Sequence, residues 1–151
     1  MKLSQQLLHQ IHRHLESGYP NEACGFMLGK DGVITEIVPA DNQRTDSARN
    51  RYLIDHLLYV KVQNEADKRG MDLMGIYHSH PDVAARPSQF DLEQAWPDFS
   101  YLIVSVRKGS WLRRFIACIG FASKGNAVES NSWRLRDDRS AFDQEAVEFS
   151  G

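Results

Sequence analysis

The sequence predicts an α/β (α+β) fold in which helices cover a mixed β-sheet. Short apolar runs typical of strands alternate along the chain with two longer segments whose apolar residues recur at helical spacing. Strands interleaved with helices favour one mixed sheet with helices packed on it. The 151 residues, 42% of them hydrophobic, suffice for one domain with a buried core. We therefore expect a single domain over residues 1–151, with the tail over 137–151 ambiguous between an edge strand and a helix end.

The N-terminal segment predicts an amphipathic helix that ends at Gly18. Its apolar residues recur at helical spacing: Leu3, Leu7, Leu8, Ile11 and Leu15. Three histidines fall largely on the opposite face: His9, His12 and His14. We expect these histidines to face solvent rather than to form a metal site.

The next segment predicts a β-hairpin. Cys24–Leu28 and Val33–Val38 are strand-like, and the Asp31-Gly32 pair between them suits a tight turn. Cys24 and Cys118 each lie in an apolar run, so both are expected to be buried thiols. Cys24 is two residues from Glu22 and therefore shares a strand face with it.

A polar loop and a second helix follow the hairpin. Asp41–Arg51 is polar and without periodicity, which indicates a loop. The segment Asp55–Arg69 predicts a helix that Gly70 ends, with His56 on its surface. Its apolar stripe consists of Leu57, Leu58, Val62 and Ala66.

The most informative segment places two histidines at the end of a buried strand. Asp72–Tyr77 is short and apolar, so it predicts a strand that delivers His78 and His80 at its carboxyl end. Alternate strand residues share a face, so both imidazoles point the same way, as two ligands of one metal ion must. Taken alone, such a pair is more often exposed or hydrogen-bonded than metal-binding.

A helix start supplies a carboxylate close behind the histidine pair. The run from Pro87 through Ser88 to Asp91 is typical of a helix N-terminus, which makes Ser88 and Asp91 neighbours on one face. By itself the pattern is close to a capping box, and the capping and functional interpretations are compatible. Two imidazoles and one carboxylate with a free fourth position form a typical hydrolytic zinc site.

The remaining chain predicts further strands. Tyr101–Val106 and Leu112–Phe121 are strand-like, Lys124–Ser132 is polar enough to predict a loop, and Trp133–Arg136 is a strand candidate. Arginines in the loops have the geometry to bind a substrate carboxylate, and the sequence does not choose among them: Arg44, Arg49, Arg51 and Arg86.

Composition disfavours several function classes. The net charge of −2, without a basic run, disfavours nucleic acid and anionic membranes as partners. No apolar stretch reaches the roughly 20 residues that span a bilayer, and the first residues lack a signal peptide's apolar core. A cytoplasmic location is therefore expected. The motifs of other zinc enzymes, His-Glu-x-x-His and Pro-Cys-x-x-Cys, do not occur in the sequence.

In these residues the chain resembles the JAMM (MPN+) zinc metallopeptidase family, and within it the short stand-alone prokaryotic type. The family signature is an upstream glutamate, then His-x-His-Pro and, seven residues from that proline, Ser-x-x-Asp. Here Glu22, His78-Ser79-His80-Pro81 and Ser88 to Asp91 fill every position. Without the resemblance, Glu22 would be interpreted as an ordinary surface carboxylate after a turn.

The resemblance implies a role for each of these residues. It implies that His78, His80 and Asp91 hold one Zn²⁺ per chain, that Glu22 is the general base, and that Ser88 stabilises the oxyanion. It also implies a mixed sheet covered by helices, related in architecture to cytidine deaminases.

The resemblance further implies a substrate class. Family members cleave peptide or isopeptide bonds after the Gly-Gly tail of ubiquitin or related proteins, and short stand-alone relatives process ubiquitin-like sulfur carriers. The compact chain resembles the second group, so a small ubiquitin-like or sulfur-carrier protein is the expected partner. Two alternatives remain: a scaffold of the kind formed by MPN proteins without metal, and a zinc amidohydrolase of a small molecule.

Overall fold

The fold is built on one mixed sheet of eight strands, formed by the residues that the computed structural model describes, 1–109 and 125–150. The strands are β1 (Lys2–Ser4), β2 (Cys24–Lys30), β3 (Val33–Ala40), β4 (Asp72–Pro81), β5 (Ser100–Lys108), β6 (Gly125–Leu135), β7 (Phe142–Glu145) and β8 (Glu148–Ser150). The helices in these ranges are α1 (Gln5–Gly18), α2 (His56–Lys68) and α3 (Gln89–Gln94). The predicted α/β (α+β) class is confirmed.

The strands lie in the order β7-β6-β5-β4-β2-β3-β1-β8. Three neighbouring pairs are parallel (β4–β5, β1–β3 and β1–β8), and the other pairs are antiparallel, so the sheet is mixed as predicted. β4 lies inside the sheet, between β2 and β5. The strand that carries the two predicted histidine ligands is therefore hydrogen-bonded along both edges.

Helix α1 covers one face of the sheet. Ser4 caps it by accepting a hydrogen bond from the Leu7 amide at 3.1 Å, and the helix buries Leu7, Ile11 and Leu15 against a core that includes Met27 and Tyr77. The prediction that Leu3 belongs to this helix is wrong, because the cap at Ser4 starts the helix after it. Leu3 lies in β1 and is fully buried in the same core.

The prediction that all three histidines of α1 face solvent is wrong for two of them, which are half-buried. His12 Nε2 lies 2.8 Å from the Ser130 hydroxyl and His14 Nδ1 lies 3.0 Å from the Tyr77 hydroxyl, whereas His9 is exposed. Burial lowers the pKa of both His12 and His14. Hydroxyl groups from β4 and β6 therefore contact the side chains on the flanks of the helix.

The predicted hairpin is confirmed, with β2 and β3 paired antiparallel and Lys30 opposite Val33. The two loop residues Asp31 and Gly32 have φ angles of 51° and 79°. Positive φ at both positions is the type I′ geometry that matches the twist of the flanking strands. Glycine adopts it without steric cost, and aspartate tolerates it better than most residues.

Helix α2 covers the opposite face of the sheet. Asp55 caps it by accepting from the Leu57 amide at 2.9 Å, and Gly70, with a φ of 65°, follows its end as predicted. Val62 and Ala66 pack on a second core. Leu57 was wrongly assigned to the apolar stripe: its side chain is 75% exposed, whereas His56 is exposed as predicted.

The C-terminal region differs most from the prediction. The expected loop over Lys124–Ser132 is wrong, because residues 125–135 form β6 and pair with β5. The ambiguous tail forms two strands, β7 beside β6 and β8 beside β1. The predicted strand Leu112–Phe121, with Cys118, lies outside the described residues. Among the helices of the described ranges, none has the length and apolarity needed to cross a membrane.

Candidate metal centre

The two histidines of the motif lie on β4, which extends beyond the predicted strand to Pro81. Their side chains point to the same face, as the alternation of strand residues requires, and both are buried, with 0% and 5% exposure for His78 and His80. Ile76 precedes them on that face and belongs to the core that α2 covers. The histidines therefore lie at the end of this core, on the side of α2 and α3.

A capping box formed by Ser88 and Asp91 at the start of α3 positions the Asp91 carboxylate beside the histidines. The Ser88 hydroxyl accepts a hydrogen bond from the Asp91 amide at 3.1 Å, and the Ser88 amide donates to Asp91 Oδ2 at 2.7 Å. The Ser88 hydroxyl also donates to Oδ2 at 2.6 Å. Ser88 and Asp91 are neighbours as predicted, and the capping interpretation of Ser88 is confirmed.

Potential donor atoms of three side chains converge at this place. His78 Nε2 and His80 Nε2 are 3.1 Å apart, and they lie 3.2 Å and 3.4 Å from the two carboxylate oxygens of Asp91. His80 Nδ1 lies 3.2 Å from the Ala84 carbonyl oxygen. Since a carbonyl only accepts, Nδ1 carries the hydrogen and the lone pair of Nε2 is available to a metal ion. The buried group of two imidazoles and one carboxylate has the composition and spacing to bind a metal.

The protonation states favour metal binding. Burial alone would raise the pKa of Asp91, but His78 and the hydrogen bonds from His78, His80 and Ser88 hold this pKa below its usual range. Burial lowers the pKa of His78, although the carboxylate of Asp91 acts against this shift. The group therefore offers a charged carboxylate and a neutral imidazole at neutral pH, which are the forms that bind metal.

Aromatic packing orients His78 in addition to the contact of its Nε2 with Asp91 Oδ1. The ring of Tyr52 lies 4.6 Å from the imidazole, centroid to centroid, with 34° between the planes. His78 Nδ1 is buried and has no hydrogen-bond partner within residues 1–109 and 125–150. Tyr52 belongs to the segment before α2, and nothing in the sequence motif indicated its place beside the ligands.

Glu22 lies beside the group in a buried position, immediately before β2. The interpretation as a surface carboxylate is wrong, because only 5% of Glu22 is exposed. Burial raises its pKa to about 9, and the nearby charge of Asp91 adds to the shift. Its amide donates to the Ala48 carbonyl at 2.7 Å, and its carbonyl accepts from Asn42 Nδ2 at 3.0 Å. The loop after β3 therefore holds the backbone of Glu22 on both sides.

Asn42 makes four hydrogen bonds, of which one joins the loop to Glu22 and three close the loop on itself. Nδ2 donates to the carbonyls of Glu22 and Arg51, each at 3.0 Å, and Oδ1 accepts from the amides of Arg44 at 3.0 Å and Leu53 at 3.1 Å. One side-chain amide therefore uses two donors and two acceptor positions to close the loop. Sequence reasoning missed Asn42, because an asparagine in a polar loop has no spacing signal.

A groove of about 850 Å³ opens over the group. Glu22, His80 and Ser88 contribute to its lining. Three of the four arginines considered for a substrate carboxylate line it as well: Arg49, Arg51 and Arg86. The predicted site residues are thus gathered in or beneath one groove.

Cys24 is buried beside His78, opposite it in the pairing of β2 and β4. Its thiol donates to the Ala40 carbonyl, with sulfur and oxygen 3.8 Å apart. Burial raises its pKa to about 12, and the charges of Glu22 and Asp41 add to the shift. A metal binds the thiolate form, so at neutral pH Cys24 remains a packing residue. The prediction of a buried thiol is confirmed for Cys24.

A comparison with protein families places residues 4–118 in the family described as prokaryotic homologues of the JAB domain. Over 97 residues the chain is 33% identical to a probable TtuB-protein conjugate cleaving protease of Thermus thermophilus, covering 64% of each chain. Over 102 residues it is 28% identical to the CysO-cysteine peptidase of Mycobacterium tuberculosis, covering 67% of this chain and 70% of that one. The first match spans just under two thirds of the relative's length.

The same architecture occurs in solved structures. The solution structure of a protein from Salinibacter ruber aligns with a TM-score of 0.70 and 36% identity, over 99% of this chain and 92% of that chain. The alignment extends beyond the region that the family description covers, into the C-terminal strands.

Replacement of Asn42 by alanine should destabilise the protein. The substitution removes four hydrogen bonds, of which those to the Glu22 carbonyl and from the Arg44 amide are part-buried, and a typical hydrogen bond contributes about 0.5–1.5 kcal/mol to the free energy of unfolding. Urea unfolding followed by circular dichroism measures the change.

The matched control is Gln43→Ala, whose exposed side chain makes no hydrogen bond within the described ranges. It should change the free energy of unfolding by less than about 0.5 kcal/mol. Equal stability of Asn42→Ala and the wild type would contradict the role assigned to Asn42.

In metal-free protein, the raised pKa of Glu22 should make stability fall as pH rises. The folded carboxyl keeps its proton up to a pKa of about 9, whereas in the unfolded chain it titrates near 4.5. The folded state therefore binds more protons between these values, and the free energy of unfolding decreases with pH in that window. Glu22→Gln has no titrating proton and should flatten this decrease.

Urea unfolding of chelator-treated wild type and Glu22→Gln from about pH 5 to about pH 8 tests this expectation. Asp72→Asn, at an exposed position of β4, serves as the control and should keep the wild-type slope. If Glu22→Gln also kept that slope, Glu22 would not be protonated in the folded state.

Proposed function

The chain belongs to the family of prokaryotic homologues of the JAB domain, and from this premise we propose that it is a zinc-dependent metallopeptidase. We propose further that it hydrolyses the peptide or isopeptide bond after the C-terminal Gly-Gly of a ubiquitin-like or sulfur-carrier protein. The observation that carries the proposal is the convergence of His78, His80 and Asp91 beneath a groove that also contains Glu22.

The spacing of the three donors supports zinc as the metal, with one ion per chain. Tetrahedral coordination at about 2.0–2.1 Å separates ligand atoms by roughly 3.3 Å. His78 Nε2 lies 3.1 Å from His80 Nε2 and 3.2 Å from Asp91 Oδ1, and both separations are close to this value. When bound, zinc supplies Lewis acidity and activates water at neutral pH.

Glu22 has the position and chemistry of a general base. It shares the groove with His80 and Ser88. In the absence of metal, burial raises the pKa of its carboxyl group. A neighbouring dication favours the ionised carboxylate, which is the form that accepts a proton. Glu22 would take the proton of the attacking water and deliver it to the leaving amine.

Ser88 supports two roles. Its hydroxyl donates to Asp91 Oδ2 in this structure, which orients a metal ligand. It also lines the groove, so a rotation about its side-chain bond would direct the same hydrogen toward a substrate oxyanion. A donor at that place stabilises the charge that develops on the scissile carbonyl.

The relatives support the substrate class. The Thermus protein is named for cleaving conjugates of TtuB with proteins, and the mycobacterial peptidase is named for CysO and cysteine. By analogy, the substrate here is a small protein whose C-terminus is joined to an amine. β4 is paired along both edges, so the tail of such a substrate would reach the site along the groove and not by pairing with the ligand-bearing strand.

The complete ligand set argues against a scaffold role. MPN-type scaffolds lack these ligands, whereas two imidazoles and a charged carboxylate are buried together here at metal-binding distances. Burial of such a group without a metal costs free energy that a scaffold would have no reason to bear.

Incubation of the zinc-loaded protein with a sulfur-carrier protein extended past its Gly-Gly should remove the extension. Intact-mass analysis detects the loss. Glu22→Gln should retain zinc and lower the rate at least about 100-fold, the usual contribution of a general base. His78→Ala should lose the zinc, which metal analysis would otherwise measure at one ion per chain.

Two results would reject parts of this proposal. Full activity of zinc-loaded Glu22→Gln would exclude Glu22 as the base. Stoichiometric zinc without cleavage of any carrier, combined with hydrolysis of a small amide, would indicate an amidohydrolase instead.

Ser88→Ala should lower the cleavage rate about 100- to 1,000-fold if the hydroxyl stabilises the oxyanion. Loss of the cap should also destabilise the protein by about 0.5–2 kcal/mol. Ser88→Thr, which keeps the hydroxyl, is the matched control and should recover both properties in part. A loss of stability at an unchanged rate with zinc bound would restrict Ser88 to its capping role.

A further inference from the structure

We propose that the groove binds a free carboxylate on the leaving-group side of the scissile bond, and that Arg51 and Arg86 bind it. This inference rests on the proposed peptidase function and narrows its substrate class. The preferred substrate releases a fragment whose carboxylate lies close to the new amine, as in a single amino acid, and not the side chain of a lysine within a conjugated protein.

The charges that line the groove leave two cations without a counter-charge. Asp82 pairs with Arg49, with Oδ2 and Nη2 2.9 Å apart, and it also accepts from the Tyr19 hydroxyl at 2.9 Å. Glu22 is buried beside the metal group. Arg51 and Arg86 form no ion pair with any residue in 1–109 or 125–150. The groove is therefore positive at its rim, which attracts and retains anions.

Arg51 is held in place by packing and not by a carboxylate. Its guanidinium lies 5.0 Å from the centre of the Phe90 ring, and the guanidinium of Arg44 lies 5.6 Å from the same ring. A guanidinium on an aromatic ring keeps its N–H groups available at its edge, where they bind a carboxylate with two parallel hydrogen bonds.

Arg44, the other arginine on Phe90, forms a long ion pair with the exposed Asp46, with Nη1 and Oδ1 3.8 Å apart. Arg44 Nε is buried and has no hydrogen-bond partner in the part of the chain that the structure describes. Two like charges on one ring repel each other, and a bound anion relieves that repulsion. Phe90 lies next to the proposed ligand Asp91 in α3, so this cationic pair is close to the reacting centre.

The backbones at both proposed arginines are held close to the reacting groups. The Arg51 carbonyl and the Glu22 carbonyl accept from the same nitrogen, Asn42 Nδ2. Arg86 directly follows a segment that is bonded to the sheet, with the Ala84 carbonyl near His80 Nδ1 and the Ala85 carbonyl accepting from Trp133 Nε1 at 3.2 Å. The two loops therefore start both arginine side chains from held backbone positions, and both residues line one groove.

The chemistry of the reaction explains why a carboxylate is the ligand. Water adds to the amide carbonyl, the C–N bond breaks, and the products are a carboxylate on the carrier and an amine on the leaving group. When the leaving group is an amino acid, its own carboxylate is one carbon away from that amine. In a lysine conjugate the amine is carried by a four-carbon chain, and no carboxylate of the same residue lies nearby.

A matched pair of substrates tests the inference. One is a carrier ending in Gly-Gly-Ala with a free acid, and the other is the same protein with a C-terminal amide. The zinc-loaded enzyme should cleave the acid with a kcat/KM about 10- to 100-fold higher than the amide, because charge-assisted hydrogen bonds to one carboxylate are lost in the amide. Arg51→Gln and Arg86→Gln should each move this ratio toward one.

Arg13→Gln is the control, since Arg13 is an exposed guanidinium on α1 outside the groove. It should keep the wild-type ratio. A binding measurement accompanies the kinetics: calorimetry of N-acetyl-Gly-Gly-Ala acid and amide with zinc-loaded Glu22→Gln, with and without Arg51→Gln. The acid should bind more tightly, and Arg51→Gln should remove the difference.

Each other outcome has a definite meaning. Equal cleavage of acid and amide overturns this inference and leaves the proposed function intact. A preference that persists in both arginine variants shows that the carboxylate is bound elsewhere and overturns it too. Equal weakening of acid and amide by these variants indicates acidic side chains of the carrier as the ligand, which also overturns it. If neither substrate is cleaved, the proposed function fails, and the peptide binding ratio alone decides whether the carboxylate site exists.

Discussion

The pairing of β4 along both of its edges is the constraint on which the site depends. Because β2 and β5 hold this strand from either side, its backbone cannot rotate, and the strand's alternation directs His78 and His80 at one point. The capping box at Ser88 then sets the first turn of α3, so that Asp91 meets the same point. A long-range sheet and a local cap thus combine to position three donors that lie up to 13 residues apart in sequence.

Electrostatics makes this arrangement costly without a cation. Glu22 and Asp91 are two carboxyl groups buried in one region, and the structure separates their proton affinities: the pKa of Asp91 is held low, while that of Glu22 is raised to about 9. One therefore remains an anion next to the imidazoles and the other a neutral acid. Pairs of groups whose pKa values are driven apart are typical of catalytic sites. The buried carboxyl groups destabilise the folded state without a metal ion, and a bound dication would stabilise their ionised forms.

The sequence predicted the locally determined parts well. The hairpin turn at Asp31-Gly32, the helix start at Ser88 and the shared face of His78 and His80 all depend on neighbours within a few residues. The prediction was wrong where partners distant in sequence determine the structure. The polar run over 125–132 is a strand that pairs with β5, and Glu22 is buried where Asn42 and Ala48 hydrogen-bond to its backbone. Propensity and spacing contain no information on such partners.

Because Asn42 closes its loop, the sequence of that loop can vary independently of the rest of the fold. Its Oδ1 accepts hydrogen bonds from the amides of Arg44 and Leu53. A backbone hydrogen bond of 2.9 Å also joins Gln43 to Leu53. The two ends of the segment between Gln43 and Leu53 are therefore held together. Variation inside this closed segment leaves Glu22 anchored and His78 packed, provided that the carbonyl acceptor at position 48 and the ring of Tyr52 are kept. Substrate preference can therefore diverge between relatives, or be redesigned by exchanging the other residues of this segment, without rebuilding the hydrolytic centre.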